Sequence, residues 1–178
     1  MSTQKWLMLL INVTGGTAVL GSYAIGLATH PGASQVLWGG VPGSFRPLYT
    51  ASMFLAASGY LAFTYFILFR LDPTATQVAG RYGFWVFNVL YAAILLPSAL
   101  WMPLTFWAVG HPSPGSVWTV RSVLAAVGLA SLGLFAALLK VSPRQPVWAH
   151  QLALIGCAAF CLQTGLLDAV LWSAYFRV

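Results

Sequence analysis

Charged residues are scarce in this sequence. Only 6% of the 178 residues are Asp, Glu, Lys or Arg, whereas 60% are hydrophobic. A soluble domain carries about 25% charged residues, so this chain has too few to cover a water-facing surface. The shortage of charge excludes an ordinary soluble domain and predicts an all-α integral membrane protein.

Acidic residues are the scarcest of all. The chain has 2 of them against 8 Lys and Arg, which gives a formal net charge of +6. The basic residues stand singly at the ends of apolar runs and form no basic stripe, as is typical of residues that set membrane topology. We therefore predict no nucleic-acid binding.

The sequence also has little that could carry catalysis or bind a metal. Cys157 and Cys161 are four residues apart, which is not the C-x-x-C spacing, and no further cysteine completes a cluster. The motifs H-E-x-x-H and G-x-S-x-G and a glycine-rich phosphate loop are missing. No two of His30, His111 and His150 are placed to face each other across a membrane haem. We predict no metal, no cofactor and no catalytic residue.

Long apolar runs are what the sequence has in abundance. Five of them can cross a hydrocarbon core, which takes about 20 residues. Short connections rich in Gly and Pro separate the runs, so residues 1–178 are predicted to form a single domain, a bundle of five transmembrane helices. The predicted spans are 6–29, 48–70, 84–109, 117–140 and 148–175, with a lid loop at 30–47.

The basic residues predict the orientation of this bundle. More of them flank the spans on the side of the N-terminus than on the other side, and cytoplasmic loops carry the excess of Lys and Arg. We therefore expect a multi-pass protein with the N-terminus inside and the C-terminus and the lid loop outside. The two groups are Lys5, Arg70, Arg81, Lys140 and Arg144 against Arg46, Arg121 and Arg177.

Asp168 is an acidic residue well inside a predicted span. A carboxylate there costs about 2.5–3.5 kcal/mol on insertion scales and usually marks a functional site with a partner. Arg121 lies about one turn into the fourth span, at a depth similar to that of Asp168. Two interpretations stay open: Arg121 and Asp168 form a buried ion pair, or Asp168 contacts a ligand in a pocket.

The stretch ILLPSALWMPLTFW at 94–107 places Pro97 and Pro103 inside a span, on either side of Trp101. Proline bends a helix, and the freed carbonyls need a neighbour, water or a cavity. Most tryptophans, Trp172 included, lie near predicted interfaces and are interpreted as anchors, whereas Trp101 lies deeper. The bend predicts one wall of a lid-side pocket, although a kink that only improves packing stays open. Polar and aromatic residues expected at that depth are Tyr23, Tyr49, Ser98, Trp101, Arg121 and Asp168.

These residues resemble the translocator protein family, also called tryptophan-rich sensory proteins or peripheral benzodiazepine receptors. The stretch SALWMPLTF is similar to that family's third helix, with Ser98 where the family has Asn. The stretch LLDAVLW is similar to the fifth helix, with Asp168 in an Asn position. In the lid, Trp38 and Pro42 match part of a Trp-x-Pro-Pro-x-Trp signature whose second Trp is missing, and Tyr49 stands near a further expected Trp.

The resemblance implies a five-helix membrane protein that binds porphyrins, sterols or related hydrophobic molecules in a pocket closed by the lid. Phe160 stands where the family's fifth helix usually carries a pocket Trp. The predicted ligand-binding residues are Trp38, Tyr49, Ser98, Trp101, Pro103, Phe160 and Asp168.

The leading hypothesis is therefore a receptor or carrier-like protein for a flat hydrophobic ligand. The alternative is a small structural accessory subunit of a larger membrane complex, which the sparse polar content favours. A membrane enzyme that uses Asp168 is a third and weaker interpretation. Expected partners are the hydrophobic small molecule and membrane lipids, and a homodimer stays open because small-residue spacings occur in several spans.

Overall fold

The computed structural model describes residues 2–177, and these are mainly helical. Five helical stretches are long and apolar enough to cross a membrane, which confirms the predicted all-α, five-helix bundle. Their ends lie within a few residues of the predicted ends, because the apolar runs set their lengths. The five stretches are Thr3–Thr29, Gly43–Arg70, Trp85–Gly110, Pro114–Lys140 and Val147–Tyr175.

Within these stretches the chain forms both α-helix and π-helix. The α-helices are α1 (Thr3–Thr29), α2 (Ala33–Trp38), α3 (Arg46–Tyr65), α4 (Trp85–Gly110), α5 (Pro114–Lys140), α6 (Val147–Cys161) and α7 (Ser173–Tyr175). Two π-helical segments, Phe66–Arg70 and Leu162–Trp172, continue α3 and α6 respectively. A short 3₁₀ turn, Gly43–Phe45, precedes α3.

The connection between α1 and α3 is more ordered than the predicted lid loop. It contains α2, and the helical chain of the second span begins at Gly43 rather than at residue 48. Pro47 lies in the first turn of α3, where a missing backbone N–H breaks no helical hydrogen bond. The lid is therefore residues 30–42, and the last five residues of the predicted loop belong to the second span.

The helices pack in the order α1, α4, α5, α6, α3 around the bundle. Small residues allow the closest of these contacts, between α3 and α6. A Cβ on Gly156 would lie 2.7 Å from the Cα of Gly59, so neither position has room for a side chain. Close approach at small residues is a usual source of stability between membrane helices.

Two short strands join two connections at the N-terminal end of the bundle. Strand β1 (Gln77–Val78) lies between α3 and α4, and β2 (Val141–Ser142) lies between α5 and α6. They pair antiparallel, with Gln77 opposite Ser142 and Val78 opposite Val141. This ribbon is on the opposite end of the bundle from the lid.

The buried side chains form two clusters. The larger cluster occupies the half of the bundle near the ribbon and includes Phe63, Phe66, Phe87 and Tyr91. The smaller cluster lies beneath the lid, where Tyr49, Trp172 and Phe176 are buried and Trp38 and Trp101 pack against them. Three of the seven predicted ligand-binding residues, Trp38, Tyr49 and Trp101, belong to the smaller cluster.

Candidate functional site

Asp168 lies in the π-helical segment Leu162–Trp172, below the lid. Its Oδ1 accepts a hydrogen bond from Gln163 Nε2 at 2.9 Å and another from the Tyr49 hydroxyl at 3.2 Å. The same hydroxyl also contacts the Leu167 carbonyl. Asp168 is thus linked through Tyr49 to α3, and π-helical turns often occur at functional sites.

Arg121 does not reach Asp168. Its Nη2 donates to the Phe176 carbonyl at 3.3 Å, and the guanidinium lies 5.4 Å from the centre of the Trp118 ring. Within residues 2–177, Arg121 and Asp168 form no ion pair, in contrast to one of the two predicted interpretations. The physical reason is that the neutral donors of Tyr49 and Gln163 occupy the carboxylate, while Arg121 points to the end of the bundle.

Trp101 lies at the centre of an aromatic wall built from three helical stretches. Its ring meets the Trp172 ring edge-on, with centroids 5.5 Å apart, and meets Tyr23 of α1 at 5.8 Å. Trp172 in turn stacks on Phe176 at 4.5 Å. Edge-on and offset contacts at these distances are favourable between aromatic rings.

The lid is attached directly to this wall. The Trp172 indole Nε1 donates to the Leu37 carbonyl of α2 at 2.8 Å. Trp38 meets Tyr49 edge-on at 6.0 Å, and the Arg46 guanidinium lies 5.3 Å from the centre of the Trp38 ring. The residues that hold the lid are therefore neighbours of the residues that hold Asp168.

Two side-chain atoms of this site are buried without a hydrogen-bond partner among the described residues. They are the donor Trp101 Nε1 and the acceptor Gln163 Oε1. Buried polar atoms in proteins are nearly always paired, so each unpaired atom needs an explanation, such as a ligand or a water molecule. We call the residues Tyr23, Tyr49, Trp101, Gln163, Asp168 and Trp172 the lid-side cluster.

Four of the seven predicted ligand-binding residues lie outside the lid-side cluster. Trp38 contacts it through Tyr49, whereas Ser98, Pro103 and Phe160 do not join it. Pro103 is exposed on the outer surface of α4, because two residues beyond Trp101 is about 200° around a helix. Phe160 packs instead against Phe63 at 5.5 Å in the larger cluster, about two turns deeper than Asp168. The Ser98 hydroxyl donates to the Ile94 carbonyl of its own helix at 2.7 Å, so its proton is not free for a ligand.

Sequence reasoning missed two members of the cluster. Gln163 carried a usable signal, since a polar side chain five residues before Asp168 lies in the same span. Trp172 was interpreted as an interfacial anchor, but the structure buries its ring. Its position near the end of an apolar run is compatible with either place, so the sequence alone does not distinguish them.

Two cavities formed by the described residues lie outside the lid-side cluster. One of about 380 Å³ lies at the start of α5, beside Arg121 and Phe176. The other, of about 620 Å³, lies between α1 and α4 and is lined in part by Pro103. Neither is lined by Trp101 or Asp168. The Trp101 ring instead contacts the rings of Tyr23 and Trp172 directly.

The fold and this site together define a five-helix protein of multi-pass membrane type with an aromatic and polar cluster beneath a lid. Comparison of the chain with known protein families, with curated proteins and with solved structures finds no match.

Proposed function

We propose that this protein is a multi-pass membrane receptor or carrier-like protein that binds a flat hydrophobic molecule, such as a porphyrin or a sterol, in the lid-side cluster. The ligand lies against the aromatic wall and offers hydrogen bonds at its edge. The resemblance to the translocator protein family supports the same class of ligand. The surplus of basic residues near the N-terminal end supports a lid that faces the outside.

The observation that carries the proposal is the pair of unpaired atoms, Trp101 Nε1 and Gln163 Oε1. One is a donor and the other an acceptor, so a ligand with a carboxyl, carbonyl or hydroxyl group satisfies one or both. The remaining wall is formed by the rings of Tyr23, Tyr49 and Trp172, which suit a flat apolar body.

Binding requires the cluster to open. Trp101 and Trp172 contact each other directly, and Trp172 is bonded to Leu37. A ligand that displaces the Trp172 ring also breaks the bond from Trp172 to the lid, so this route of entry couples ligand binding to movement of α2. Contact between the ligand and both indoles replaces the contact that is lost.

The test is a titration of the reconstituted protein with protoporphyrin IX, followed by the shift of the porphyrin absorption band. Trp101→Phe keeps an aromatic ring, smaller than the indole, and removes the Nε1 donor. We expect it to weaken binding by about tenfold, which corresponds to the loss of one hydrogen bond. Trp85→Phe is the matched control, since Trp85 lies on the same helix at the opposite end and is 49% exposed.

Empty bilayers of the same lipid give the background of nonspecific partitioning. Equal affinity of the wild-type protein, Trp101→Phe and Trp85→Phe would contradict a site at Trp101. Porphyrin uptake no greater than that of empty bilayers would contradict the porphyrin assignment, and a sterol titration with the same variants then tests the other ligand.

A structural accessory subunit is the second candidate. The position of the two cavities outside the lid-side cluster favours it, as do large apolar side chains that are strongly exposed on several helices. Under this proposal, another membrane protein covers part of that surface. Cross-linking in native membranes followed by mass spectrometry should then recover a partner at fixed stoichiometry, whereas a receptor is recovered without one.

A further inference from the structure

The cavity of about 620 Å³ is a groove on the outer surface between the C-terminal halves of α1 and α4. We call it the outer groove. Its volume is in the range of small-molecule pockets, roughly 300–1,000 Å³. Its lining has no Asp, Glu, Lys or Arg, and the apolar walls include Gly21, Ile25, Pro103, Phe106 and Trp107.

Glycines on α1 shape the outer groove. At Gly26 the two helices are in close contact, because a Cβ there would lie 2.9 Å from the Phe106 ring. At Gly21, by contrast, a Cβ would meet nothing within 4 Å. The groove is therefore closed at its floor by the contact at Gly26 and open where Gly21 faces it.

His30 lines the end of the outer groove and has a defined tautomer. Its Nδ1 lies 3.2 Å from the Gly26 carbonyl and 3.0 Å from Thr29 Oγ1. Thr29 Oγ1 donates its own proton to the Ile25 carbonyl at 2.7 Å, so it accepts from His30. Both partners of Nδ1 are acceptors. Nδ1 of His30 thus carries the proton, and in the neutral ring Nε2 has the free lone pair.

His111 lines the same groove and has the same tautomer. Its Nδ1 lies 3.1 Å from the Trp107 carbonyl, an acceptor, and its ring stacks on Trp107 at 5.7 Å. The His30 ring stacks on Phe106 at 3.9 Å. His150 differs, because it is buried and uses Nε2 for its bond to the Leu138 carbonyl at 2.9 Å. Two acceptor nitrogens thus lie at one end of a groove whose lining is mainly apolar and has no charged side chain.

We infer that the outer groove binds a neutral membrane amphiphile with a hydroxyl head group, of the monoacylglycerol class, whose hydroxyls donate to Nε2 of His30 and His111. The apolar chain lies along Gly21 and Trp107. Since no charged side chain lines the groove, a phosphate or carboxylate head has no counter-charge there. His30 and His111 follow the last residues of α1 and α4, where a membrane helix reaches the head-group region.

The test uses fluorescence quenching in reconstituted bilayers. The probe is a monoacylglycerol with a brominated chain, compared with phosphatidylcholine and a fatty acid that carry the same brominated chain. The difference in tryptophan quenching between the wild-type protein and Trp107→Phe measures the binding of a probe in the outer groove. We expect the monoacylglycerol to be preferred over phosphatidylcholine by about tenfold at Trp107, as two modest hydrogen bonds allow.

Two variants separate the shape of the groove from its head-group contacts. Gly21→Leu places a side chain in the groove from a position where a Cβ meets nothing within 4 Å, and it should abolish the preference. Gly16→Leu is the matched control, since a Cβ at Gly16 also meets nothing within 4 Å and Gly16 does not line the groove. The double variant His30→Ala with His111→Ala should keep binding of the chain but lose the preference for hydroxyls.

Each other outcome overturns the inference. Equal quenching by the three probes in the wild-type protein means that ordinary lipid fills the groove. If Gly21→Leu still prefers the monoacylglycerol over phosphatidylcholine, the amphiphile binds outside the outer groove. A preference that survives the double histidine variant means that shape alone selects the ligand, and a preference for the fatty acid anion contradicts the neutral head group.

Discussion

Asp168 is held by the neutral side chains of Tyr49 and Gln163 rather than by a cation. An amide has the same shape as a carboxylate and retains one acceptor oxygen, so Asn can take the place of Asp168 in both hydrogen bonds. The apolar residue Leu cannot. Asp168→Asn therefore removes the charge and keeps an acceptor oxygen, whereas Asp168→Leu removes both.

We expect Asp168→Asn to unfold at nearly the wild-type temperature in detergent. Asp168→Leu should be destabilised by about 1–3 kcal/mol for each donor that it leaves unpaired. Thermal unfolding followed by circular dichroism compares the two. If both variants lose the same stability, the charge of Asp168 matters to the fold and the neutral hydrogen bonds do not explain its burial.

From single residues, the sequence predicted that Asp168, Trp101 and Tyr49 lie at similar depth near the lid, and the structure places all three beneath it. The signal was an acid, a deep Trp and a Tyr within otherwise apolar helices. The pairing of Arg121 with Asp168 was not a sound inference, since similar depth does not fix which neighbour is closer. Gln163 supplies a hydrogen bond that Arg121 does not.

At the scale of whole helices, α3 and α6 owe their contact to two glycines. A Cβ at either Gly59 or Gly156 overlaps with the backbone of the other helix, which no rotamer change can relieve. By contrast, a Cβ on Gly16 of α1 meets open space. The same substitution therefore has different consequences at different glycines.

We expect Gly59→Val and Gly156→Val to destabilise the bundle by about 1–3 kcal/mol or more, as overpacking does in cores. Gly16→Val is the control and should change stability by less than about 0.5 kcal/mol, as substitutions away from packed contacts usually do. Denaturation in detergent measures all three. Equal stability of Gly59→Val and Gly16→Val would show that α3 and α6 can move apart at no cost.

The sequence predicted the helices well and their internal details poorly. Apolar run length defines a membrane span, so all five were found. The two π-helical segments continue the α-helices before them without a Gly-Pro break or a change to strand-like alternation, so the sequence pattern does not distinguish them. The β1–β2 ribbon pairs residues far apart in the chain in strands of two residues each, too short for a pattern.

For the molecule as a whole, the orientation in the membrane is a prediction that labelling can decide. Ser34 lies in the lid and Thr74 lies in the connection that leads to β1, at the opposite end of the bundle, and both are exposed. In intact cells, a membrane-impermeant maleimide should label Ser34→Cys and not Thr74→Cys, because we expect the lid outside. The reverse pattern would invert the topology and would show that the basic residues do not set it.

The β1–β2 ribbon gives the two ends of the bundle different mechanical roles. Main-chain hydrogen bonds tie two interhelical connections together at the ribbon end, and the change of a side-chain rotamer does not break them. At the lid end, side-chain contacts hold the chain: the indole bond to Leu37, a hydrogen bond of 3.4 Å from Arg46 to Gln35, and ring contacts. The helices are therefore fixed to one another at the ribbon end and can separate more easily at the lid end. A ligand that enters between the helices at the lid end is expected to leave at the lid end as well. Such a protein stores or senses its ligand and does not pass it across the membrane.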